Sequence, residues 1–355
     1  MSGHLSDAAK NEPRRWLDAR ARPRLIERCG PIARRALSGD GEAHVVAAMT
    51  GAFYVALQGH NLICIGSRRL GNGPINVQLA GAPEGTLGVN PGMTGCLASG
   101  VLRLGPDFAM AAGSGTTWAP HEKPPFDAPL VGLGLRHLGA SVAHRVPADG
   151  LATIVLGEPI APPMSALLRA ASDPIEQLDR GLSVALSQGR WPDVALAAAQ
   201  HLLGLGPGLT PSGDDLLSGV LLALSAAGRA DLSQSLWGAV EPRLAELTSP
   251  ISGAHLRAAA EGLAAEPLHD MLAILLRGDT DDLEAGLCAI SAVGHTSGWD
   301  ALSGLVMSLR ALTEPQRSHR GAGLTDHRAG RARWQSHGPE PTSSSPPHPA
   351  RRTRP

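Results

Sequence analysis

Lysine is almost missing from this chain. It stands only at Lys10 and Lys123 among 355 residues, although arginine is plentiful. Neither lysine lies in a glycine-rich loop, so a P-loop with its phosphate-holding lysine is excluded. Cysteine is scarce too. Cys29, Cys64, Cys96 and Cys288 stand far apart with no Cys-x-x-Cys pair, and a reduced cytoplasmic setting is expected. No apolar run approaches the ~20 residues of a membrane span, and the opening Met-Ser-Gly-His-Leu-Ser-Asp does not read as a signal peptide. A formal net charge of −1 gives no footprint for nucleic acid or for a membrane surface. A Gly-x-Ser-x-Gly elbow is missing as well, which argues against a serine hydrolase.

What is present begins with a 43% apolar content, enough for one large or two closely packed domains. A basic, partly helical lead-in is expected over residues 1–40. From Ala43 onward short apolar runs alternate with glycine: His44–Met49, Phe53–Leu57, Leu62–Ile65, Ile75–Leu79, Val101–Leu104, Phe108–Ala112 and Ala152–Leu156. Runs of four to six residues between turn signals favour strands, and their spacing suggests a mainly antiparallel sheet or barrel-like layer over 41–160. Gln58-Gly-His-Asn61 reads as a hairpin turn. Gly132-Leu-Gly134 and Gly139 imitate a dinucleotide fingerprint, but the last glycine is misplaced and no ribose-binding acid follows. After Pro162 alanine and leucine recur at helical spacing, which predicts a helical domain over 161–313, with Asp173-Pro174 as one helix start. The whole is therefore α+β. The tail, 314–355, holds eight arginines against three acids and almost no apolar residues, and is expected to be disordered.

The most unusual stretch is Gly204-Leu-Gly-Pro-Gly-Leu-Thr-Pro-Ser-Gly-Asp-Asp215, running on into Leu216, Leu217, Val220, Leu221 and Leu224. Glycine at Gly204, Gly206 and Gly208 suits positive φ or a bare backbone, and the prolines stiffen the loop. The leucine spacing predicts a buried helix with Ser212 or Thr210 as its N-cap. Such a loop points N–H groups and a helix dipole at one spot, which suits a small anion. Asp214 and Asp215 would repel that anion unless Mg²⁺, or N–H groups of the ligand, stood between them. An ordinary C-cap at Gly204 followed by ordinary N-capping would explain the same residues.

A second copy strengthens the functional reading. Ser297-Gly-Trp-Asp300-Ala-Leu-Ser-Gly304 aligns with Ser212-Gly-Asp-Asp215-Leu-Leu-Ser-Gly219 at an offset of 85 residues. Two like-built helix starts suggest a pseudo-symmetric pair facing one pocket, with Gly219 and Gly304 at a close crossing. Asp214, Asp215, His295 and Asp300 are the candidate catalytic residues. Gly206, Gly208, Thr210, Ser212, Gly213, Thr296, Ser297 and Gly298 are the candidate substrate contacts, and Asp214 with Asp215 could hold Mg²⁺. His295, near a helix start, could serve as a neutral donor or base, or simply as a cap. A zinc site from His255, His269 and His295 lacks ligand spacing.

Both strings, with Thr248-Ser-Pro-Ile-Ser252 and Leu256-Arg-Ala-Ala between them, resemble a bacterial domain family that includes the third, smallest subunit of the oxamate carbamoyltransferase complex of anaerobic allantoin breakdown. The resemblance runs from Leu203 to Leu309, weakens over the first half and does not reach the tail. It implies a cytoplasmic subunit that works beside other subunits of a carbamoyltransferase on a small anionic ureide. It carries no assignment of residue roles. A non-catalytic binding or scaffold subunit, or a stand-alone Mg²⁺-dependent phosphoryl-transfer enzyme with arginines such as Arg257 replacing the missing lysine, are the other readings of the same residues.

Overall fold

The computed structural model describes residues 21–58, 61–156 and 164–314. The first half of the expected lead-in, the Gly59-His60 tip of the expected hairpin and all but the first residue of the expected tail lie outside them. The described residues all fall in one compact unit.

The expected α+β arrangement is the one observed. The first half is a closed mixed barrel built from β1 (Arg24–Cys29), β2 (Gly41–Met49), β3 (Ala52–Leu57), β4 (Asn61–Gly66), β5 (Asn76–Leu79), β6 (Thr94–Ala98), β7 (Val101–Leu104) and β8 (Phe108–Ala111). The strand order is β5-β4-β3-β2-β6-β7-β8-β1, and an antiparallel β1–β5 pairing closes the ring. A two-residue strand, β9 (Thr116–Thr117), runs parallel to the end of β1. Alternation decides what fills the barrel. Phe53 and Val55 face inward opposite Ile65 and Ile63, and Phe53 meets Phe108 edge to face at 5.2 Å between centroids. Their neighbours Tyr54 and Ala56 point outward, into a separate apolar seam with Leu62, Ile75, Ile251 and Ala254. That seam joins the barrel to the helices.

The helices are α1 (Pro31–Ala36), α2 (Ala128–Ser141), α3 (Ala152–Leu156), α4 (Ala166–Gln188), α5 (Asp193–Leu202), α6 (Ser212–Ala226), α7 (Ala230–Val240), α8 (Leu244–Leu247), α9 (Pro250–Ala260), α10 (Glu266–Arg277), α11 (Leu283–Ser291) and α12 (Ser297–Thr313). Helix α6 lies at the centre, with every residue from Ser212 to Leu224 buried. A helix that is apolar on all sides must be wrapped on all sides. Helices α5, α7, α9 and α12 do the wrapping.

Three expectations are corrected. Ala152–Leu156 is a helix, not a strand. All five residues are buried, and a short apolar run has no period that separates the two states. Arg24–Cys29 is a barrel strand, not part of a helical lead-in. Buried Ile26 and Cys29 are the apolar signal, and charged neighbours hide it in the sequence. Pro174 does not start a helix, because α4 runs through it without a break. Strand β1 and helix α1 thus occupy the end of the expected lead-in, and α2 and α3 fall within the stretch expected to be β-rich.

Candidate functional site

The N-cap of α6 is Pro211, and no side chain caps it. The N-cap of α12 is Thr296, again without a side-chain cap bond. This corrects the expectation that Ser212 or Thr210 caps α6, and it has a consequence. The hydroxyls are not spent on their own helix ends but face across to the other copy. Thr210 Oγ1 lies 2.9 Å from Ser297 Oγ. Ser297 stands against Asp215, and Ser212 stands against Asp300. At the 85-residue offset these last two contacts are one contact exchanged between the copies.

The crossing below the two openings shows the same exchange. A Cβ on Gly219 would fall 1.9 Å from the Ala301 carbonyl oxygen and 2.7 Å from the Leu305 nitrogen. A Cβ on Gly304 would fall 1.8 Å from the Leu216 carbonyl oxygen and 3.0 Å from the Val220 nitrogen. Leu216 and Ala301, like Val220 and Leu305, are equivalent positions. Only glycine at both places lets the backbones approach this closely. Helices α6 and α12 therefore cross about a local pseudo-two-fold axis, with their N-termini on the same side.

Gly213 and Gly298 are also equivalent, and each presses on the helix before it. Added Cβ atoms there would meet the Leu202 and Ile290 carbonyl oxygens at 2.0 and 2.2 Å. Their N–H groups donate to Leu205 O and Val293 O, so both are occupied within the fold. Gly206 and Gly208 adopt φ of 127° and 98° and carry the loop outward to Leu209, an exposed apolar tip.

The three aspartates differ. Asp214 is tied down at both oxygens. Oδ1 accepts from Gly204 N–H at 2.8 Å, and Oδ2 accepts from Ser252 Oγ–H at 2.6 Å and from Thr248 Oγ1–H. It fastens the glycine loop to the start of α9. Asp300 is fully buried, and its Oδ1 accepts from Leu151 N–H at 2.6 Å. Asp215 is 9% exposed. On both Asp215 and Asp300 the Oδ2 atom is buried and accepts no hydrogen bond.

Burial raises the pKa of all three acids. For Asp214 the Ser252, Thr248 and Gly204 donors oppose the rise. For Asp300 the opposition comes from Ser212, the Leu151 and Ala152 N–H groups and Thr296. Asp215 is pushed well up by burial and further by the charges of Asp300 and Asp214, against the Ser297 and Thr210 hydroxyls. Its charge also reaches Tyr54 on the barrel wall. Burial raises the Tyr54 pKa, and contact with Cys64 and the Asp215 charge raise it further. Cys64 itself is pushed up to about 12 by burial.

The other expected residues lie at the rim. His295 is 82% exposed in its side chain, and its Nε2 lies 3.2 Å from Asp149 Oδ2. Thr296 is half-buried beside Gly150, whose added Cβ would meet Thr296 Cβ at 3.0 Å and Asp300 Oδ1 at 2.6 Å. Among the described residues no group of three or more His, Cys, Asp or Glu is arranged to hold a metal ion. A cleft of about 280 Å³ opens elsewhere, at one end of the barrel, between Arg35, Asp40, Glu42, Gln58 and Asn61. Sequence reasoning missed Leu151 and Tyr54. Leu151 acts through its backbone, which no sequence signal reports. Tyr54 could have been flagged as the single tyrosine of the chain.

These features define the class: an α+β protein in which a closed barrel backs a helical region whose two like-built helix openings meet at buried carboxylates. Residues 202–309 match the family described as oxamate carbamoyltransferase subunit AllH. The matched stretch holds both copies of the motif, and it is the stretch over which the motifs resemble that family. No solved structure matches the chain. Among the described residues no helix is long and apolar enough to cross a membrane.

Proposed function

We propose that this chain is a subunit of an oxamate carbamoyltransferase-like complex and that its paired helix openings bind a small anionic substrate. The reaction would be the exchange of oxalurate and phosphate for oxamate and carbamoyl phosphate, in ureide breakdown in the cytoplasm. The family match over 202–309, which brackets both openings, carries this reading. Carbamoyl transfer develops negative charge on oxygen, and a glycine loop at a helix N-terminus suits that charge. In this reading Thr210, Ser297 and Thr296, each half-buried, touch the substrate. Asp215 and Asp300 lie beneath them, and His295 stands at the edge. Asp214, with both oxygens occupied by Gly204, Thr248 and Ser252, acts as a positioning residue in this reading.

The test is calorimetry with oxalurate and with carbamoyl phosphate, on the chain alone and on the chain co-expressed with partner subunits. Binding that weakens in Thr210→Val and Ser297→Ala supports the reading. If neither compound binds in either setting, the substrate assignment fails. A scaffold role is the second reading, favoured by the complete burial of Asp300. It predicts assembly with partners and unchanged substrate affinity in both variants.

A further inference from the structure

We infer that Asp215 and Asp300 together form a site for one hard divalent cation of the Mg²⁺ class. Each acid comes from a different copy of the motif, and each keeps one oxygen buried and unbonded. A buried acceptor without a partner costs free energy, so two of them at one crossing call for a ligand that satisfies both. The charges that bear on Asp215 are those of Asp300 and Asp214, both negative. The two helix N-termini supply only about half a positive charge each, which leaves the carboxylates in excess. The side-chain groups around the pair offer only oxygens: two carboxylates and the Thr210, Ser212, Thr296 and Ser297 hydroxyls, while the Leu151 and Ala152 nitrogens on Asp300 are N–H donors with no lone pair to give a cation. The groups cited around the pair include no imidazole or thiolate, which selects a hard cation over zinc. Mg²⁺ characteristically takes one or two carboxylates and fills its remaining positions with water or with oxygens of a phosphorylated ligand. Asp214 is not part of this set, because Gly204, Thr248 and Ser252 already use its oxygens.

The cation would be enclosed by one residue of each repeat, so neither repeat alone could hold it. It would also let an anion sit above two acids. The inference stands apart from the carbamoyltransferase reading, because its test needs the metal alone.

The experiment is titration of the full chain with Mn²⁺, followed by electron paramagnetic resonance, with Mg²⁺ as competitor. We expect one Mn²⁺ per chain, displaced by Mg²⁺. Affinity should fall by more than about tenfold in Asp215→Asn and in Asp300→Asn, and should not change in Asp149→Asn at the exposed rim. Melting curves recorded with and without metal make a second readout. The wild-type chain should melt higher with metal. Each Asn variant should melt at or above the wild-type value without metal, because a buried charge has gone, and should gain nothing when metal is added. Two results would overturn the proposal: no saturable Mn²⁺ site in the wild-type chain, or full affinity retained by both Asn variants.

Discussion

The two copies of the motif differ most at one place. The first has Asp214 where the second has Trp299. Asp214 secures its opening with hydrogen bonds to Gly204, Thr248 and Ser252. Trp299 secures its own by burying an indole to 2% exposure, with Nε1–H donating to Ser291 Oγ at 3.2 Å. A polar knot and an apolar anchor thus do the same work of fixing a helix start to its surroundings. What both copies keep is Ser, Gly, the acid at Asp215 and Asp300, Leu, Ser and Gly. Those positions make the crossing and the exchanged Ser–Asp contacts. The varied position is about holding the backbone, and the kept positions are about meeting the other copy.

Truncating the anchor should have the largest effect. Trp299→Ala removes a fully packed indole and should cost about 4 kcal/mol of stability in urea unfolding. Next come Gly219→Ala and Gly304→Ala. Each puts a methyl against a backbone carbonyl under 2 Å away, which cannot be relieved by a rotamer change. Each should cost about 3 kcal/mol, and near-equal losses would sharpen the pseudo-two-fold picture. A loss confined to one of the two would break it. Asp214→Ala should cost about 2 kcal/mol, because Gly204, Thr248 and Ser252 would be left with unpaired donors. If Asp214→Ala leaves the unfolding midpoint unchanged, the equivalence of knot and anchor fails.

Much of this was legible in the sequence, and for identifiable reasons. The repeat was visible because Gly219 and Gly304 are forced by backbone contact, and Asp215 and Asp300 sit at the same step of the same helix start. The strand-then-helix order was visible because short apolar runs between turn residues, such as Phe53–Leu57, give way to leucine spacing after Pro162. The barrel closure was not. Strand β1 interleaves Arg24, Glu27 and Arg28 with its two buried residues, and its partners β5 and β8 are some 50 and 85 residues away. Nor was the exchange of hydroxyls legible. Ser212 in a helix start reads as a cap, and only the meeting of two helices shows that its partner is Asp300. The division of labour between Asp214 and Asp215 was equally hidden, since adjacent acids look alike until their donors are known.

Outside both copies, the seam between barrel and helices should set the acid limit. His269 Nε2 accepts from Ala264 N–H at 3.0 Å, a role that only the neutral ring can fill. Burial, helped by the charge of Lys123, lowers its pKa to about 4. The unfolded chain therefore binds the proton first as pH falls. Stability that is complete above the ordinary value of about 6.5 is lost on the way down to about 4, by at most about 3 kcal/mol. The stability difference between the wild type and His269→Gln should therefore grow with pH across that window, because the raised carboxyls of Asp214, Asp215 and Asp300 and the lowered His255 act alike in both. His269→Gln keeps an acceptor, the amide oxygen, where the ring nitrogen was, and alters neither motif; a difference that does not change with pH would remove His269 from the account.

The smallest effect tests the joint itself. Thr210→Val and Ser297→Ala each remove one end of the 2.9 Å contact between the two openings. A single hydrogen bond between partly buried hydroxyls is worth about 1 kcal/mol, so each single variant should lose about that much. If the openings truly meet there, the double variant loses little more than either single one, and the cycle returns a coupling of about 1 kcal/mol. Should the two losses simply add, the hydroxyls do not act on each other, and the copies share a helix crossing without sharing a mouth. The cycle also discriminates between the two sides of the joint. Ser297 also faces Asp215, as does Thr210, so removing either hydroxyl should push the Asp215 carboxyl further up, and removing both should do so most.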